Sequence, residues 1–460
     1  MLTTKKISTD FLSILISLYP LAYILGNFAI NLLTFITIVF ALFLFKGKII
    51  PSNNKNLTII LFCFFSYLLV ITFISYLLAE KEHENFLNNF WKSILYFRYL
   101  LLFFVVAKMI EKNIFNFKYF FFSACFFSFI LGVDLIVQYN LGIDLFGFEQ
   151  PEHLQNRRFS GFFGDELIAG GYLYRFCLFA IFFFCFQKYL SKNKIYAFFL
   201  ATFVFFFISI FISGNRMPLI LFIFSVTVFS LIEKKLRHIT VPILILLIIF
   251  IISTIKTDFK ILPGIYKDHL NSFYIKSAEI MIKSKDIITS NPLYQHDMLY
   301  SEDKKEEFKE ATKNKEEFKS GHLKIFNAAF VTWEKNKFFG AGLRSFRINC
   351  EFKLNVYCAQ HSHNYYTEIL INTGVIGFIL FLLICFITIK NFFKFYFSEK
   401  LALKERCILI PFFLVLISEI LPIRSAGNFF STFNSTIFFV YLAVVANSTK
   451  TIPILNKLKL

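Results

Sequence analysis

The residue types that could do chemistry gather where a polar stretch runs into an apolar one, from Cys350 to Gly377. His363 and Asn364 stand there, and Gly374 and Gly377 follow after a nine-residue gap. An imidazole titrates near neutrality, so His363 can take a proton from a hydroxyl as a general base. Asn364 and Glu368 are four residues apart, one helical turn, the spacing of a pair that could orient the base. The competing reading is structural: a His-Asn helix start followed by packing glycines. Two residues apart, His361 and His363 would not share a face of a helix that included both. His322, His361 and His363 share one loop and its end, yet no helical His-pair spacing accompanies them, so neither a metal nor another cofactor is expected.

Arginines form the second group. A planar guanidinium binds phosphate oxygens in a bidentate way and stays charged when partly desolvated. Arg216 ends the tight turn Ser213-Gly214-Asn215-Arg216 between two apolar runs. Arg158 precedes another apolar run, and Arg98 and Arg175 fall inside runs. An arginine within a span either serves a site or pairs with a carboxylate or outer headgroups.

The elements that must position these residues are apolar. The chain is 57% hydrophobic, more than a soluble domain can bury, and its repeated apolar runs predict an all-α polytopic membrane protein. Twelve spans are expected, at Phe11–Leu25, Phe28–Phe45, Leu57–Leu78, Ile94–Ile110, Tyr119–Tyr139, Tyr172–Leu190, Ile195–Ile212, Met217–Ile232, Ile239–Ile255, Tyr366–Ile389, Cys407–Ile423 and Ser435–Ala446. The first is read as a retained span rather than a signal peptide, because no small-residue cleavage site follows it. An N-terminal bundle would occupy 1–255, one large periplasmic loop 256–362, and the C-terminal spans 363–460.

Lysine and arginine in the short loops set the orientation. With the N-terminus cytoplasmic, the inner side collects Lys5, Lys46, Lys112, Lys192, Lys234 and Lys404 with their basic neighbours. The short outer loops carry only Lys81, Lys92, Arg157, Arg158, Arg216 and Arg424. Both termini are then cytoplasmic. The net charge of +18 follows mostly from this asymmetry, so no nucleic-acid partner is implied. Within the long loop, Ser301–Gly321 is a charge run read as a solvated helix or linker. Ile325, Phe326, Ala329, Phe330 and Trp333 recur at helical spacing and predict an amphipathic helix against the membrane or the bundle. Cys350 and Cys358 lie in the same loop. In an oxidising compartment they would close a disulfide worth roughly 2–3 kcal/mol; the alternative is two free thiols.

Four segments, taken in order, resemble the O-antigen ligase and O-antigen polymerase superfamily. They are Arg158-Phe159-Ser160-Gly161-Phe162-Phe163-Gly164, Ser213 to Arg216, Gly340-Ala341-Gly342 after a Trp-bearing helix, and His363-Asn364 with Gly374 and Gly377. The resemblance covers about 158–377. It implies a metal-independent glycosyltransferase of a bacterial inner membrane, with a glycan on undecaprenyl pyrophosphate as donor. The acceptor would be lipid A–core for a ligase, the favoured reading, or another lipid-linked repeat unit for a polymerase. It further implies that Arg216, with Arg158 and Arg175, holds the pyrophosphate and that His363 activates the acceptor. The family often has an arginine where this chain has His322, which would substitute when protonated; otherwise Lys324, Arg344 or Arg347 would supply the contact. A flippase for lipid-linked sugars, the other functional class, should carry charges through the midplane of several spans. A non-catalytic scaffold would leave the outer arginines unexplained.

Overall fold

A chain in lipid must satisfy its own backbone N–H and C=O groups, so apolar runs of this length fold as helices. The computed structural model describes residues 2–79, 83–149, 158–186, 191–256, 321–350, 359–398, 401–422, 424 and 427–451. In chain order they form α1 (Leu2–Ser17), α2 (Tyr19–Leu25), α3 (Asn27–Leu44), α4 (Lys55–Leu77), α5 (His83–Glu111), α6 (Phe117–Leu141), α7 (Ala169–Ile181), α8 (Lys192–Ile212), α9 (Arg216–Ile232) and α10 (Arg237–Lys256). After these come α11 (Gly321–Glu334), α12 (Phe346–Asn349), α13 (Tyr365–Tyr396), α14 (Leu403–Glu419) and α15 (Thr432–Ala446). No strand occurs among the described residues. The charge run at 301–320 and Cys358 lie outside them.

Where twelve spans were expected, seven helices among the described residues are long and apolar enough to cross a membrane, or up to nine when each of two bent pairs is one span. The reasons are local. α1 and α2 meet at 43° because Pro20, in the first turn of α2, lacks an N–H and its ring displaces the carbonyl four residues back. The chain turns through 108° between α9 and α10. α14 and α15, at 17 and 15 residues, are shorter than the ~20 residues that a hydrocarbon core requires.

The surface of the bundle is apolar. Phe28 and Phe43 are each 79% exposed, an arrangement that suits lipid and not water. At the centre stand α7, α14 from Cys407 onward, and α15, whose side chains are buried almost without exception.

α13 is not one rod. Gly374 has φ 61° and ψ −167°, so the helix breaks there and resumes at Val375. The loop after α11 fills the break. Ala341 N–H donates to Ile371 O at 3.0 Å, Gly342 N–H to Asn372 O at 2.9 Å, Val375 N–H to Lys337 O at 2.9 Å and Ile376 N–H to Phe338 O at 3.3 Å. A methyl group on Gly374 would overlap the Phe338 carbonyl, and one on Gly340 would overlap the Thr373 and Gly374 amides. These glycines therefore admit a loop backbone, where a neighbouring helix or lipid was expected at Gly374 and Gly377. Ile325, Ala328 and Ala329 of α11 pack on Phe346 and Ile371, forming a small core of their own. Phe326 and Phe330 are half-exposed, so α11 turns one apolar face to the bundle and leaves another outside it.

Candidate functional site

Asn364 starts α13 as its N-cap. Its Oδ1 accepts the N–H groups of Tyr366 at 2.9 Å and Thr367 at 3.3 Å, satisfying donors that a helix start leaves without partners. Its Nδ2 donates to Pro422 O at 2.7 Å and Arg424 O at 3.2 Å, fastening the turn to the segment after α14. Glu368 does not pair with the Asn364 side chain. Its Oε2 accepts from Ser362 N–H at 3.0 Å and Ser362 Oγ at 2.9 Å. A cap side chain points at the helix amides, which leaves the carboxylate one turn on to take the preceding serine. His363 thus lies between two clamped neighbours, in the left-handed region at φ 56°, where a non-glycine residue is rarely held without a surrounding structure to fix it. Because α13 begins after both histidines, the helical-face rule does not apply to them. The His361 and His363 rings meet with centroids 4.1 Å apart, and burial lowers the His361 pKa from its usual value.

The two arginine turns are built on each other. Phe159 N–H donates to Ser213 O at 3.3 Å, which brings the chain after Arg158 against the turn that ends in Arg216. Gly170, near the start of α7, leaves no room for a side chain beside Ser213 and Asn215. α6 holds the Arg158 segment from below: Asp134 accepts Leu145 N–H at 2.8 Å and Phe162 N–H at 2.7 Å, and Gln138 accepts Gly161 N–H at 2.8 Å. Gly161 has φ 55° and would strike Asp134 if it carried a Cβ.

Arg175 follows Gly170 by about 7.5 Å along α7. Expected to bind phosphate or to pair with a carboxylate, it pairs with Glu419 at 2.8 Å through Nε, and its Nη2 donates to Asn434 Oδ1 at 2.7 Å. Arg424 and Tyr174 also bond Glu419, and Tyr365 Oη reaches it at 2.8 Å. One buried carboxylate therefore ties α7, the end of α14, the segment beyond it and the first residue of α13. Buried charges are tolerated when paired and fully hydrogen-bonded in this way. The node connects the arginine turns, through α7, to the histidine turn, and all of them lie at one end of the bundle.

His322 falls in the first turn of α11. Cys350 is disulfide-bonded, and its expected partner Cys358 lies outside the described residues. Sequence reasoning missed Asp134, Gln138, Ser362, Tyr365 and Glu419. Two of them were visible: a carboxylate inside an apolar run, as at Asp134 and Glu419, is expensive enough to mark a function by itself.

Fold and site together define a polytopic α-helical membrane protein whose candidate site residues collect at one end. Residues 201–382 match the family model described as O-antigen ligase, which bears out the superfamily resemblance read from the motifs. The match spans less than half of the chain and supports a function of the O-antigen ligase or polymerase type in general. The matched region includes the Ser213–Arg216 turn, α11, His363 and the break at Gly374; the Arg158 segment and the Glu419 node lie outside it. No curated protein matches the chain.

Proposed function

We propose that the protein is a ligase that moves a glycan from undecaprenyl pyrophosphate to a lipid A–core or similar acceptor at the outer face of a bacterial inner membrane. The observation that carries this reading is the fixed histidine turn at the same end of the bundle as the paired Arg158 and Arg216 turns. His363 takes the proton of the acceptor hydroxyl. The freed oxygen bonds to the anomeric carbon as the bond from that carbon to the pyrophosphate oxygen breaks. The departing lipid pyrophosphate gains negative charge, which Arg158 and Arg216 offset. With so good a leaving group, positioning and one general base supply most of what is needed; the base alone is worth about 10²–10⁴-fold.

Complementation tests the reading. A strain lacking the gene receives wild type, His363→Ala or Arg216→Ala, and its surface glycan and lipid-linked precursor are compared on gels. Each variant, inserted normally, is expected to leave long glycan on its carrier. Capped single repeats in place of long chains would instead identify a polymerase. Wild-type glycan from both variants would reduce the histidine turn to packing and overturn the mechanism.

A further inference from the structure

The Glu419 node splits the cations at this end into two groups. Arg158 and Arg216 stand on the α6–α8 side. On the other side, Arg98 of α5 reaches Thr432 Oγ1 at 3.5 Å, two residues before the Asn434 that Arg175 holds. The first turn of α15 thus separates Arg98 from Arg175. Arg344 lies within electrostatic range of Arg98 and Arg347, and Lys92 within range of Arg344 and Arg347. Glu368 is the carboxylate that faces Arg344, and its oxygens are already taken up by Ser362 and Asn372. The Leu343 N–H bond to Thr72 of α4 and the contact of the Phe73 and Phe90 rings bring the stretch with Arg344 and Arg347 to the α5 end that carries Lys92 and Arg98, and like charges gathered in this way favour an entering anion.

The local build of Arg344 points the same way. It is a non-glycine residue in the left-handed region, at φ 60°. Both of its neighbours are clamped: Leu343 N–H donates to Thr72 Oγ1 at 2.9 Å, and Ser345 donates to Asn372 Oδ1 through N–H at 3.1 Å and Oγ at 3.0 Å. His363 is built alike, with a left-handed backbone and a neighbour held by Glu368. Glu368 and Asn372 are one turn apart on α13 and bonded to each other at 3.4 Å. The two aimed residues therefore hang from adjacent turns of one helix. Arg98, whose Nη1 donates to Leu95 O at 2.8 Å and Nη2 to Tyr99 Oη at 2.6 Å, adds a buried Nε with no hydrogen-bond partner among the described residues.

We infer that Lys92, Arg98, Arg344 and Arg347 form a second anion site, which holds a phosphate group of the acceptor saccharide about one helical turn from His363. This rests on the reading of His363 as the base and of Arg158 and Arg216 as the donor site. It gives the two substrates separate anchors on either side of the Glu419 node.

The test uses the full chain in nanodiscs of phosphatidylcholine, with two probes: undecaprenyl pyrophosphate, and a deacylated, diphosphorylated glucosamine disaccharide. The variants are Arg344→Asn, which keeps a residue tolerant of the left-handed backbone, and Arg347→Ala at an exposed position. Each is expected to weaken the phosphorylated disaccharide by about ten-fold while undecaprenyl pyrophosphate binds as to wild type. The dephosphorylated disaccharide should bind wild type and variants equally weakly. Arg216→Ala should show the reverse pattern, and an unchanged affinity for undecaprenyl pyrophosphate there would sink the donor assignment alone. The acceptor-phosphate site is overturned if Arg344→Asn and Arg347→Ala bind the phosphorylated disaccharide like wild type, or lose undecaprenyl pyrophosphate instead. It is likewise overturned if phosphatidylglycerol added to the nanodisc displaces the disaccharide, which would make the cluster a headgroup site.

Discussion

At the scale of single residues, Asn364 performs two tasks with one amide: the oxygen caps α13, and the nitrogen fastens the histidine turn to Pro422 and Arg424. The tasks can be separated. Asn364→Ala loses both, and the cap alone is worth about 1 kcal/mol. Asn364→Asp keeps an oxygen for the cap and loses the donor. Thermal unfolding in detergent should rank wild type above the Asp variant and the Asp variant above the Ala variant, while glycan transfer falls in both. Equal transfer by wild type and Asn364→Asp would show that the tie to Pro422 and Arg424 does not hold the base. The types and spacing of His363 and Asn364 were legible in the chain because helix caps and bases draw on few residue types. The partner of Glu368 was not. The four-apart rule assumes two side chains on one helix, and a cap turns its side chain back toward the amides.

At the scale of elements, apolar runs announced nearly every helix but not the breaks within them. In sequence, Gly374 and Gly377 are two glycines in an apolar run, and such glycines usually mean close packing. Only the structure reveals that Gly374 carries a positive φ and that a loop thirty-odd residues upstream lies against it. Gly374→Ala should accordingly be the harsher change. Its methyl group meets backbone at Phe338, whereas the methyl of Gly377→Ala meets the Thr373 side chain, which can shift. Limited proteolysis of α11 and its following turn should accelerate in Gly374→Ala and stay near wild type in Gly377→Ala; the opposite order would contradict the interlock.

At the scale of the molecule, the orientation rests on the lysines of the short loops, and the polar end is read as the outer one. Reporter fusions check this. A fluorescent protein joined after Ala446 should fluoresce, and alkaline phosphatase inserted after Leu78 should be active, as befits a cytoplasmic C-terminus and an outer loop; reversed signals would put His363 on the wrong side for a periplasmic acceptor. The break in α13 bears on the same end in a further way. Tyr365 to Thr373 forms a rod roughly 13 Å long, pivoted at Gly374 and tipped by the turn that carries His363. Swinging that rod by about 10° would carry its tip some 2 Å, and displacements of ~1 Å already cost catalysis dearly. The grip of residues 337–342 on the pivot therefore acts as the bearing of a lever, so the aim of the imidazole is set at both ends of the rod, by the loop at Gly374 and by the Asn364 tie at the tip.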